Sequence, residues 1–317
     1  MSGINPNEVD RIEITTLEDN YIDVLAGGDS SITKRATGFR AGKRMPVLAE
    51  HGFSAFIQLF EGNKTRTLQF DFGNSKDVAA RNADALGVDL SLVEATALSH
   101  GHTDHQGGLG DVVAKIGKKD LEIVMHPVAF RQNRYRYINQ GQKVPIPTLS
   151  RTEVEKAGLK ITETREPYLM LGGDILFLGE IPRKTSFEKG MPNTYYEDNG
   201  KEIKDNIEDD TSIVMNLKGK GLIILSGCAH SGIVNTVEYA REVTGIKKVH
   251  VVMGGFHLTG PDFEPIIGNT VDYFKKLRPD YIVPTHCTGR KAIASFENTF
   301  PANFILNMSG TKLTFPS

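Results

Sequence analysis

Four potential metal ligands crowd into six positions of the segment SHGHTDHQGGL, residues 99–109: His100, His102, Asp104 and His105. In an extended or turning chain, residues two apart project to the same side, so His100 and His102 can grip one ion. Asp104 and His105 then turn toward a second position. Imidazole combined with carboxylate suits Zn, Fe or Mn better than Ca. Gly101, Gly107 and Gly108 let the backbone pass close to such ions without steric conflict. The chemistry this implies is a cation with an open face, able to lower the pKa of water toward neutrality and supply hydroxide.

Short apolar runs must deliver these groups. Residues 67–72 (TLQFDF) read as a strand, and Ser75 offers a cap to a helix whose face is Val78, Ala79, Ala83 and Leu86, stopped at Gly87. Residues 94–99 (EATALS) form the strand that enters the histidine cluster. Leu109, Val112, Val113 and Ile116 then recur at helical spacing, and 121–125 is again a strand. The second half repeats the plan. Strands are expected at 174–178, 211–217, 221–225, 249–253 and 281–284. Helices are expected around Ile233, Val237, Ala240 and Val243, and around Ile266, Ile267, Val271, Phe274 and Leu277. An α/β fold of two sheets with helices outside, a four-layer αββα sandwich, buries this much apolar surface.

No low-complexity linker divides the 317 residues, so 1–317 is expected to be a single domain. Irregular insertions are expected near 18–50 and 195–210. The first carries Lys34, Arg35, Arg40, Lys43 and Arg44, which a solvated surface loop explains as well as a binding role does. Thirty-seven basic against 39 acidic side chains give a formal charge of −2, so nucleic acid is not an expected partner. Residues 1–16 lack a basic start and an apolar stretch, and no run is long enough to span a bilayer. A cytoplasmic protein with no membrane partner is expected. Its two cysteines, Cys228 and Cys287, sit beside histidines in GCAH and THC, which suits a reduced compartment and a place near metal.

The segment 99–109 resembles the H-x-H-x-D-H signature of the metallo-β-lactamase superfamily, and the likeness extends over roughly residues 50–290. It implies an αββα sandwich with the site at the sheet edges. Asp71, in FDFG, resembles the aspartate that braces the metal loop from behind. IILSGC resembles the strand that ends in the bridging ligand, placing Cys228 where aspartate is common. Cys228 is a bridging thiolate or a small buried strand-end residue. PTHCTG resembles the strand-end histidine of the second metal position, His286. For the third ligand of the first metal, His230 in GCAH is preferred over Glu180, His126 and His257. HGFSAFIQ, FDFGNS, GEIPR, LSGCAHSGIVNTV and VMGGFHL further resemble a subgroup named after dihydropterin-ribofuranosylaminobenzene-phosphate synthase.

These features imply a hydrolase that binds one or two divalent ions, Zn first and Mn or Fe as alternatives. It would attack a small anionic phosphoester or phosphodiester through metal-bound hydroxide. Asp104 would hold the ion and orient the hydroxide, and His257 would protonate the leaving group. Arg131, Arg134 and Arg136 could receive the anion, with Tyr135 and Tyr137 stacking a flat ring, unless that stretch is simply an exposed helix or loop. Lactone or thioester hydrolysis and pterin-pathway synthase chemistry suit the same site. A ligand-binding protein without turnover is the alternative of another class. His51 and His250 read as structural or surface residues, and a homo-oligomer stays open.

Overall fold

Side-chain alternation along the strands decides the layering. In Gly221–Ser226, Ile223 and Leu225 face one apolar cluster while Leu222 and Ile224 face another. Val251 and Met253 against Val252 repeat the split in Val249–Gly255. Strands covered on both faces read as unbroken apolar runs, as they do here. The computed structural model describes residues 3–138 and 141–317, so Met1 and Ser2 of the N-terminal stretch lie outside the described residues.

One sheet runs in the order Tyr168–Met170, Ile175–Phe177, Ser212–Leu217, Gly221–Ser226, Val249–Gly255 and Tyr281–Thr285, with Glu8–Val9 beside Ser212–Leu217. The other runs Leu159–Glu163, Leu121–Met125, Ala95–Ala97, Lys64–Phe70, Ser54–Glu61, Arg11–Glu18, Lys312–Pro316 and Thr33–Lys34. Their inner faces meet in one core, where Ile14, Ile57, Leu68 and Phe70 pack with Ile213, Ile223, Val251 and Met253. Helices Val78–Leu86 and Leu109–Ile116 cover the second sheet, through Ala83, Val112 and Val113. Ile233–Thr244, Ile267–Leu277 and Arg290–Thr299 cover the first, through Val237, Phe274 and Phe296. This is the expected αββα sandwich. Among the described residues, no helix is long and apolar enough to cross a membrane.

Five strands that matter most lie in parallel runs: Lys64–Phe70 beside Ala95–Ala97, and Gly221–Ser226, Val249–Gly255 and Tyr281–Thr285 side by side. Their carboxyl ends open onto one edge, where Asp71, His100, Cys228, His257 and His286 follow. Layered α/β folds collect ligands in that place.

Three expectations need correction. The stretch 195–210 is not wholly irregular: Thr194–Asp198 and Lys201–Lys204 form a hairpin that pairs with Arg134–Ile138, which in turn pairs with Gln142–Pro145. This four-stranded arm makes the second half of the RQNRYRY segment a strand, Arg134–Ile138, with Tyr135 and Tyr137 on one face and the buried Arg134 and exposed Arg136 on the other. Ser75 does not cap the following helix. Its hydroxyl donates to Glu50 instead, and Asp77 holds the N-cap position without a side-chain cap bond.

Candidate metal centre

Three of the site histidines, His100, His105 and His286, are held from behind and present their other nitrogen inward. The Nδ1 atoms of His100, His105 and His286 lie 3.0, 2.7 and 2.8 Å from Ser99 Oγ, Asp71 Oδ2 and Asn20 Oδ1. Their Nε2 atoms point at other candidate ligands: His100 at His102 Nδ1 (3.0 Å), His105 at Cys228 Sγ (3.1 Å) and His286 at Asp104 Oδ2 (3.2 Å). Outer bonds of this kind fix ring orientation and tautomer in metal-binding histidines.

Four overlapping donor groups result. Ligand atoms of Asp104, His105, Cys228 and His286 lie within 4.8 Å of one another, as do those of His100, Cys228 and His230, those of Cys228, His257 and Cys287, and those of His100, His102 and Asp104. Cys228 thus belongs to three of the four. Both ring nitrogens of His230 and Nε2 of His102 are buried without a hydrogen-bond partner. A buried polar group left so is costly unless something else meets it.

The backbone is bent to serve this arrangement. Asp71, Ala229, His257 and His286, each just beyond a strand end, have φ of 54°, 53°, 45° and 47°. Non-glycine residues there carry strain of about 1–3 kcal/mol each and persist where the surroundings over-determine them. Asp71 is held by bonds from the Ser99 backbone N–H and hydroxyl, both 2.7 Å. Asp210 accepts the N–H groups of His230 and Ser231 (both 2.8 Å), and Asp19 accepts that of His286 (2.9 Å). At Gly227, a Cβ would collide with Ser99 Oγ and stand 2.9 Å from Asp71 Oδ2, so only glycine passes.

Electrostatics keep the nitrogens of His100, His102 and His230 available, while His105 is held protonated by its carboxylate neighbours. Burial lowers His102 to about 4 and, with its neighbouring imidazoles, His100 and His230 well below the ordinary value, so these rings are neutral at pH 7. Burial also opposes charge on His105, but Asp71 and Asp104 prevail and raise it to about 9. Burial would raise the Asp104 carboxyl, yet His105, His286 and His102 hold it well below the usual carboxylate range. Burial pushes the Cys228 thiol up, so its thiolate needs a cation for company.

Over the site lies a cavity of about 480 Å³ whose lining includes His102, Asp104, Cys228, His230 and His257. His257 stands 4.4 Å from His230 ring to ring, and its Nδ1 has no partner. Of the alternatives for a third ligand, His126 and Glu180 pair with each other at 3.4 Å and belong to none of these donor groups, while His230 and His257 each belong to one. His250 pairs with Asp280 away from it.

Several residues were not legible as parts of the site. His51 is exposed, as expected of a surface residue, yet its Nε2 is 3.5 Å from Asp104 and it lines the cavity. Asn20 and Asp19 carry no local motif and meet His286 only through the fold. Asp205 and Asp209 grip the fully buried Arg134, and Asp209 also accepts the Gly101 N–H at 2.8 Å. The run Glu208-Asp209-Asp210 just before a strand was the available signal. Arg131 is likewise spent, on Asp205 and Glu208. Tyr135 stacks on Tyr195, Tyr137 meets it edge-on, and both donate to Glu202; neither lines the cavity. The basic 34–44 segment borders a different cavity with no lining residue in common.

The model of the metallo-beta-lactamase superfamily matches residues 70–244, a span that contains the cluster, its Asp71 brace and Cys228. The chain belongs to the metallo-β-lactamase superfamily. It is similar to 7,8-dihydropterin-6-methyl-4-(beta-D-ribofuranosyl)-aminobenzene-5'-phosphate synthase of Methanocaldococcus jannaschii, with 32% identity covering 95% of this chain and 96% of that one. An uncharacterized protein of the same archaeon is 37% identical, covering 77% of this chain and 86% of its own. Among solved structures, Tm1679, described as a metal-dependent hydrolase of the β-lactamase superfamily, superposes with a TM-score of 0.71 at 26% identity, covering 96% and 100% of the two chains. A diphosphatase from the PhnP family shares the fold, with a TM-score of 0.52 at 15% identity over 97% and 98%.

Proposed function

We propose that this metallo-β-lactamase superfamily member is a metal-dependent hydrolase of a small anionic ester, with phosphodiesters the first substrates to try. One observation carries the reading: the neutral imidazoles of His102 and His230 line an open cavity together with Asp104 and keep partnerless, buried nitrogens there. That donor chemistry fits a divalent cation. His100, His102 and His230 would hold one position and Asp104, His105 and His286 the other, with Cys228 beside both. Nitrogen and carboxylate suit Zn, Mn or Fe, and the sulfur tilts the choice toward Zn. When bound, such an ion supplies Lewis acidity and a lowered pKa for water.

The remaining work falls to the chain. Asp104, held ionised by its histidine neighbours, orients what binds beside it. His257, on the cavity wall with a partnerless Nδ1, would move a proton onto the departing oxygen from that atom. Val144, Ile146, Pro147 and Phe263 form an apolar flank that keeps water from the reacting bond. Two free, buried cysteines go with a reducing, cytoplasmic setting. Similarity to Tm1679 supports the hydrolytic reading. Similarity over 95% of the chain to the M. jannaschii synthase favours a second one, pterin-pathway synthase chemistry at the same residues.

Hydrolysis of bis(p-nitrophenyl) phosphate by protein loaded with Zn, Mn or Fe(II) tests the first. Activity should vanish with chelator and fall more than about a hundredfold in His102→Ala, beyond the loss typical of an outer partner. Undiminished turnover in either case would refute it. Binding without turnover under all three metals would instead favour a non-catalytic member of the fold.

A further inference from the structure

We propose that Arg136 anchors a second anionic group of the substrate, borne on its body some distance from the bond that reacts. This deepens the hydrolase reading and rests on the substrate lying in the same cavity.

Arg134 and Arg136 are two apart in the strand Arg134–Ile138 and so share a face, with their Cα atoms about 7 Å apart. Arg134 is fully buried and bonded to Asp205 and Asp209, and Asp209 in turn takes the N–H of Gly101 inside the histidine cluster. One side of the arm is therefore locked to the metal loop by a buried ion-pair chain. Arg136 is the next side chain on that locked face. It is exposed and forms no ion pair among the described residues, whereas Arg131 and Arg134 each have two carboxylate partners. Its cross-strand neighbours Val144 and Thr194 line the metal cavity with it. Among the cavity-lining residues it is the one lysine or arginine.

A guanidinium with its donors free, mounted on a rigid support beside a cavity, takes a phosphate or carboxylate in a two-pronged grip. Val144, Ile146, Pro147 and Phe263 give the cavity that Arg136 shares with His102, His230 and His257 an apolar lining. The ligand class this fits has a flat or apolar body, a reacting ester at the metal end and a phosphate-like anion at the arm.

Calorimetric titration of metal-loaded protein with adenosine 5'-monophosphate and with adenosine 3',5'-bisphosphate tests the anchor without requiring turnover. Wild type should bind the bisphosphate about tenfold more tightly, one charge-assisted pair's worth. Arg136→Ala should lose that preference and Arg136→Lys should keep part of it, since a lysine retains the charge without the fork. A preference unchanged in Arg136→Ala, or absent in wild type, overturns the proposal. Hydrolysis of bis(p-nitrophenyl) phosphate reads the reaction separately, so failure there with the calorimetric preference intact removes the hydrolase reading and leaves the anchor standing.

Discussion

Asp71 shows how much of the site is decided one atom behind the ligands. Its Oδ2 holds His105 Nδ1 and the Ser99 hydroxyl, and Ser99 in turn touches His100 Nδ1. Asp71→Asn should weaken metal affinity about 10–100-fold, read by competition with a chromophoric chelator; unchanged affinity would mean that the brace is ornamental. Glu18 gives a different kind of test. Burial raises its carboxyl to about 8, against only one opposing backbone bond from Asn74. The folded state therefore keeps a proton that the unfolded chain releases near 4.5. That contribution to stability is complete below the unfolded value and is lost as pH rises toward and through 8. The unfolding midpoint of wild type should fall between pH 5 and 8 relative to Glu18→Gln, and parallel curves would argue against it. At this scale the sequence was readable where candidate ligands are neighbours, as in residues 100–105, whose donor atoms the fold does gather. It was mute where they meet across the fold, as Asn20 and Asp19 meet His286.

Elements were legible to the extent that their burial is one-sided or their runs unbroken. The strands that end at Asp71, His100, Cys228 and His286 stand where apolar runs met Gly, Asp, Cys or His, because a strand leaving the core must end in residues that tolerate solvent or strain. The arm escaped notice because its four short strands owe their pairing to the partner strands and to a buried Arg134, not to an apolar period of their own. That arginine gives the arm its own test. Arg134→Met leaves Asp205 and Asp209 buried without their partner and should cost about 3–5 kcal/mol in denaturant unfolding. A loss under 1 kcal/mol would show that the arm stands without its ionic root.

For the whole molecule, the two sheets bring candidate ligands from both halves of the chain to one edge: residues 100–105 from one sheet, Cys228, His230 and His286 from the other. The αββα layering could be read from the order of apolar runs, but how the halves close on each other depends on packing across the core. A cation held by both halves should act as a clasp. Saturating metal at 100 times its dissociation constant should add about 2.7 kcal/mol of stability over chelated protein, seen as a higher melting temperature; identical melting would mean that the edge closes without it. The most direct test is anomalous diffraction from crystals loaded in turn with Zn, Mn and Fe. A peak flanked by His100, His102 and His230, or by Asp104, His105 and His286, is expected, with Cys228 adjoining. An edge that stays free of anomalous signal under every loading, with signal elsewhere or nowhere, would contradict the central claim that these side chains form a metal centre.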